Sequence, residues 1–220
     1  EASKGRAAMS RKQTGANYDR LSKWYDLFAS FERRYREAGL HKLNAKEGER
    51  VLEIGFGTGH CIVDLAQAVG DLGMVYGIDI SKGMCSVAHK RVHKAGLSQR
   101  VSLQRGDAAR LPFESNTFDA VFTSFTVELF GASEIPTVLG ECHRVIRGSG
   151  RLCVVAMSGG SKRTTMMRLY EFFHRKFPQY IDCRPIVVSK MLEQAGFNTR
   201  DVTQMSMWGL PMDIVLAQKV

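Results

Sequence analysis

No stretch of this 220-residue chain approaches the roughly 20 apolar residues that a membrane-crossing helix needs, so no such helix is expected. Cysteine is sparse and scattered. Cys61, Cys85, Cys142, Cys153 and Cys183 form no C-x-x-C pair and have no histidine at ligand spacing, which argues against both a zinc site and a disulfide framework. No metal is expected, and a reducing cytoplasm fits best. The first ten residues lack the apolar core of a signal peptide. There is no G-x-x-x-x-G-K run followed by Ser or Thr, so no phosphate cradle for a nucleoside triphosphate. Internal repeats, low-complexity tracts and linkers are also missing, and residues 17–220 read as one domain behind a flexible basic tail, 1–16.

What is present is an ordinary globular composition with a basic excess. Hydrophobic residues make up 44% and charged residues 24%, enough for one buried core. The 31 Lys and Arg against 22 Asp and Glu leave a formal charge of +9, which suits an anionic partner or simply a solvated surface. Part of that excess sits in a basic, aromatic stretch, 161–177, that reads as an inserted helix. Such a helix could close an acceptor pocket or rest on an anionic membrane.

Hydrophobic periodicity sets out the rest. Aromatics at three- and four-residue steps over 17–38 predict a leading amphipathic helix with one break. Short apolar runs at 51–54, 74–78, 101–104, 118–123 and 151–156 predict strands. Helical stretches at 61–69, 82–95 and 133–145 alternate with them. Two further strands, 197–204 and 211–217, follow a short helix over 189–195. The alternation predicts an α/β fold: a doubly wound seven-stranded sheet with helices on both faces.

Three motifs carry chemistry. Val51-Leu52-Glu53-Ile54 runs straight into Gly55-Phe56-Gly57-Thr58-Gly59, and glycines there allow a ligand to approach bare backbone at the carboxyl edge of a sheet. A dinucleotide fingerprint would need glycine at position 60, which is His60. The second strand ends at Asp79, 24 residues after Gly55, where a carboxylate can accept both hydroxyls of a ribose. Asp79 could alternatively cap the next helix, although Ser81 is the better-placed cap. After the third strand, Asp107 can accept from an adenine amino group while the Ala108 amide faces a ring nitrogen.

These elements, in this order, resemble class I S-adenosylmethionine-dependent methyltransferases over about residues 17–157. The branch most similar is the UbiE-like one of ubiquinone and menaquinone biosynthesis. It is marked by Tyr18-Asp19-Arg20-Leu21-Ser22-Lys23-Trp24-Tyr25-Asp26, the glycine loop, Leu111-Pro112-Phe113 and Cys183-Arg184-Pro185. The resemblance implies a Rossmann-like sheet whose last strand is antiparallel, and S-adenosylmethionine as cofactor. It implies that Glu53, Gly55, Gly57, Thr58 and Gly59 line the methionine and ribose part, with Asp79 on the ribose, Ile80 and Met84 on the adenine face, and Asp107 and Ala108 at its edge. Ser124 would lie beside the methionine moiety, and Tyr18 and Tyr25 would cover the cofactor, where an aromatic face attracts a sulfonium.

The acceptor is expected to be small and lipophilic: a quinol, a lipid or a natural product. Quinone methyltransferases of this branch carry Phe-Gly-Leu-Arg-Asn after the fourth strand, where this chain reads Phe125-Thr126-Val127-Glu128-Leu129. Glu128 is the candidate for orienting the acceptor, and no histidine sits in a catalytic motif. An RNA methyltransferase, suggested by the basic charge, and a non-catalytic cofactor-binding protein are the alternatives. Nucleic acid is disfavoured by the lack of an appended RNA-binding module and of an Asn-Pro-Pro-Tyr-like run. A cytoplasmic location follows, with room for peripheral contact with an anionic membrane.

Overall fold

The structure, a computed structural model, describes residues 25–159 and 185–220, with side chains from Glu32 onward. Its centre is a seven-stranded sheet of strands β1 (Arg50–Ile54), β2 (Met74–Asp79), β3 (Val101–Arg105), β4 (Phe118–Ser124), β5 (Ile146–Met157), β6 (Phe197–Met207) and β7 (Leu210–Lys219). The spatial order is β3-β2-β1-β4-β5-β7-β6. β7 runs antiparallel to both β5 and β6, and the remaining neighbours pair in parallel. Helices α1 (Tyr25–Leu43), α2 (His60–Ala68), α3 (Lys82–Lys94), α4 (Ile135–Val145) and α5 (Val188–Gln194) cover the two faces.

The middle strands read as unbroken apolar runs because they are covered on both sides. Every residue of β4 is buried. One face packs Phe56, Ile62, Leu65, Phe122 and Val155 beneath α1 and α2, and the other packs Leu52, Ile54, Phe118, Leu139 and Leu192 beneath α4 and α5. Strand order reverses between β1 and β4, so the loops leaving them diverge and open a crevice at the carboxyl edge.

The leading helix runs beyond the expected 38 to Leu43, where Asn44 turns left-handed (φ 52°) and its N–H closes on the Leu40 carbonyl at 2.9 Å. Gly39 lies inside it for a packing reason. A Cβ there would stand 2.5 Å from Val155 Cγ2 and 3.0 Å from the Phe122 ring. The Tyr35 hydroxyl donates to the Ser206 carbonyl at 2.7 Å, and Arg151 donates to the Leu43 carbonyl at 2.6 Å, fixing both ends of the contact. Gly39→Val is therefore expected to destabilise the fold by about 1–3 kcal/mol through overpacking, read as a lowered urea midpoint. An unchanged midpoint would mean that α1 is not seated on the sheet.

Strands β5 and β6 are longer than the apolar runs suggested. β5 begins at Ile146 because the register slips between Phe118 and Ala120 of its partner, absorbing Gly148-Ser149-Gly150. β6 continues to Met207 and turns through Trp208-Gly209, both at positive φ (50° and 82°), a two-residue hairpin matched to strand twist. The expected tail 1–16 and inserted helix 161–177 lie outside the described residues. Among the described residues no helix is long and apolar enough to cross a membrane.

Candidate functional site

The crevice is built around the glycine loop. Gly55, Gly57 and Gly59 all take positive φ (71°, 52°, 80°), and two of them are also hemmed in. A Cβ on Gly55 would lie 2.2 Å from Thr126 Oγ1, and one on Gly59 would lie 2.8 Å from the Ala88 Cβ. These contacts let the β1 loop touch the β4 loop on one side and α3 on the other. Asp79 pins the loop from β2, its Oδ2 accepting from the Gly57 amide at 2.9 Å and its Oδ1 from the Ser81 amide at 2.8 Å. Ser81 is the cap of α3, accepting from the Met84 amide at 3.1 Å, as its position suggested. Asp107 is held in the same way by the Ala109 amide at 2.9 Å.

Two openings meet here. The larger, an open cleft, is lined by Gly55, Gly57, Asp79, Ile80, Met84, Asp107, Ala108 and Ser124, all anticipated. Phe125, Thr126, Leu129, Phe130 and Glu134 also line it, none of which the sequence reading singled out. The smaller is lined by the anticipated Glu53, Gly55, Gly57, Thr58 and Ser124, together with Glu32, Arg36, His60 and Cys61. Gly55, Gly57 and Ser124 belong to both, so the two spaces join at the loop. Gly59 lies behind them, opening α2. Tyr18 lies outside the described residues, and Tyr25 begins α1.

Charge is concentrated in the smaller opening. Glu53 is 2% exposed, and among the described residues its Oε2 has no hydrogen-bond partner. Burial raises its carboxyl well above the ordinary range, with Arg36 opposing and Asp79 and Asp64 reinforcing the rise. Burial also pushes Glu32 up to about 7 in spite of Arg36, whose Nη1 stands 3.4 Å from Glu32 Oε2. The Cys61 thiol is likewise raised by burial and by Glu53.

Glu128 occupies a different place from the one its sequence position suggested. It is 1% exposed and lines neither opening. It sits on a single 3-10 turn, Val127–Leu129, and its Oε1 accepts from the Met157 amide at 3.3 Å, bridging the ends of β4 and β5. Burial pushes its carboxyl up to about 8, and Oε2 has no hydrogen-bond partner among the described residues. Among the described residues no cluster of His, Cys, Asp or Glu could hold a metal.

A family model described as a methyltransferase domain matches residues 51–150. The chain is 34% identical over 169 residues to a demethylmenaquinone methyltransferase of Geobacillus kaustophilus (strain HTA426), spanning 74% of this chain and 68% of that protein. It is 33% identical over 147 residues to the Bacillus subtilis (strain 168) protein of the same name, spanning 64% and 59%. A crystal structure of an S-adenosylmethionine-dependent methyltransferase from Aquifex aeolicus superposes with a TM-score of 0.65 at 26% identity, covering 84% of this chain and 89% of that one. The cyclase SpnF superposes with a TM-score of 0.74 at 19% identity and 98% coverage of both, so the fold by itself does not name the reaction. Fold, loop and relatives together define an S-adenosylmethionine-dependent methyltransferase of class I. The chain belongs to the UbiE-like family of these enzymes, the family of the demethylmenaquinone methyltransferases.

Proposed function

We propose that the joined openings hold S-adenosylmethionine and that the chain transfers its methyl group to the reduced ring of a prenylated quinone, a demethylmenaquinol. The observation that carries the cofactor reading is the junction at Gly55, Gly57 and Ser124, with a long cleft on one side and a buried, uncommitted carboxylate oxygen, Glu53 Oε2, on the other. Adenosine is assigned to the first and the amino-acid end to the second. Asp79, oriented by two backbone amides, accepts from the ribose diol. Asp107 and the Ala108 amide read the adenine edge, while Ile80 and Met84 cover its face. In the smaller opening Arg36 takes the carboxylate and Glu53 the ammonium.

When bound, the cofactor supplies an electrophilic methyl on a positively charged sulfur. Displacement from it neutralises charge, so the protein mainly aligns the acceptor at near-contact distance and excludes water. Phe125, Leu129 and Phe130 give the cleft an apolar wall suited to a lipophilic ring. Glu128 serves that wall as a positioning residue: by bonding Met157 it anchors the turn that presents Leu129. The 34% identity to a demethylmenaquinone methyltransferase supports the quinol as acceptor.

The test supplies the protein with radiolabelled methyl donor and a short-chain demethylmenaquinol, with phosphatidylethanolamine vesicles and bulk RNA in parallel. Label is expected in the extracted quinone alone. Label confined to phospholipid or to RNA would replace the acceptor, while leaving the cofactor site standing.

A further inference from the structure

The smaller opening carries more acid than its cation balances. Glu32 and Arg36, one turn apart on α1, present side chains only 22% and 11% exposed, and Glu53 of β1 lies buried on the same cavity. Among the described residues, the charged and titratable groups around them are Cys61, Asp64 and His60 from α2, Asp79 from β2, and Glu128 from the turn after β4. Arg33 and Glu37 of α1 act through Asp64. Among the described residues, Arg36 is the one cation that bears directly on both carboxyls. With Glu32 and Glu53 both ionised, this trio holds one uncompensated negative charge away from water, which is costly. Retaining a proton is the cheaper state, and the upward shifts of both carboxyls agree with it.

The adjoining cleft shares Gly55, Gly57 and Ser124 with this cavity, so a ligand's charge at the junction lies close to the acids. We propose that Glu32, Glu53 and Arg36 form a charge-sensing subsite. It gives up a proton when a cationic methyl donor fills the cleft and retakes one when only the uncharged thioether product remains. The proposal rests on the cofactor reading given above. S-adenosylmethionine and S-adenosylhomocysteine share the same amino-acid zwitterion and differ by one methyl and one positive charge. That charge favours ionised carboxylates, and its loss favours their protonation.

The balance over a turnover is simple. A carbon–methyl bond forms on the acceptor, the sulfur–methyl bond breaks and its electron pair stays on sulfur. The acceptor loses one proton, and the acid cluster draws a proton of its own from solvent. By linkage, a site that ionises on binding the donor binds it more tightly as pH rises through the range where the free site titrates. Glu32 puts that range near 7. Donor affinity should therefore rise between pH 6 and pH 8 and level off above. Product affinity should change less. The selectivity of the site for donor over product then widens with pH, which favours product departure after each transfer.

Calorimetry on the whole chain decides this without any acceptor. S-adenosylmethionine and S-adenosylhomocysteine are titrated at pH 7 in phosphate and in Tris, and the difference in binding heat between the buffers counts the protons exchanged. The donor should release more protons than the product, and the ratio of product to donor Kd should rise several-fold from pH 6 to pH 8. Glu32→Gln should flatten that rise, and Glu32→Ala serves the same purpose if the first variant does not fold. Equal proton counts for the two ligands, or none for either, with binding intact would overturn the proposal alone. No binding of either would overturn the cofactor reading and the proposal with it.

Discussion

Asp79→Ala is expected to weaken binding of both S-adenosylmethionine and S-adenosylhomocysteine by about 100-fold or more while leaving the chain folded. The magnitude follows from what the carboxylate holds. It accepts from the Gly57 and Ser81 amides, and the ribose diol is assigned to it as well. Hydrogen bonds to a charged group contribute about 1.5–3 kcal/mol each, so loss of two to the ligand is worth a factor of about 100 or more. The substitution also unties Gly57, so the loop no longer presents a preformed surface. Calorimetry measures the loss, and a melting curve separates it from unfolding. Binding within a few-fold of the parent would remove the ribose assignment. Asp79→Asn keeps one acceptor oxygen and should fall between the two.

A second large effect is expected from Glu128→Gln, and it should depend on pH. The carboxyl titrates at its ordinary value of about 4.5 when the chain is unfolded and at about 8 when folded, because burial penalises the charged form. Between those values the folded state binds more protons than the unfolded state, so stability falls as pH rises from about 4.5 to about 8 and is flat beyond. The amide has no charge to desolvate and can keep the bond from the Met157 amide. At pH 5 the two proteins should unfold at similar urea concentrations. At pH 8.5 the variant should be more stable by several kcal/mol, on the order of 4. The same difference at both pH values would show that Glu128 ionises in the fold without penalty.

The two sites illustrate how unevenly function is written along the chain. The glycine loop, Asp79 and Asp107 were legible because each is local: a strand, a turn residue and a carboxylate within a few positions. Their surroundings in the fold follow from that run. Glu32 and Arg36 were not legible. Charges four residues apart on an amphipathic helix usually mark a solvated face, and nothing within α1 says that this face closes over Glu53. Gly39 carries the missing information, since only a residue without Cβ lets α1 approach Val155 and Phe122. Glu128 was placed after the right strand, but its burial depends on β5 ending beside it at Met157, a contact 29 residues away in sequence.

The sequence by itself determined the alternation of strands and helices, the glycine loop at the carboxyl edge and the carboxylates Asp79 and Asp107 beside it, because period, turn chemistry and residue type are short-range properties. Tertiary structure alone decided the rest. The order reversal between β1 and β4 joined two openings at Gly55, Gly57 and Ser124, the seating of α1 brought a guanidinium and two carboxyls into one cavity, and burial set the protonation of Glu32, Glu53 and Glu128. Desolvation depends on everything that surrounds a group, and residues distant along the chain supply most of those surroundings.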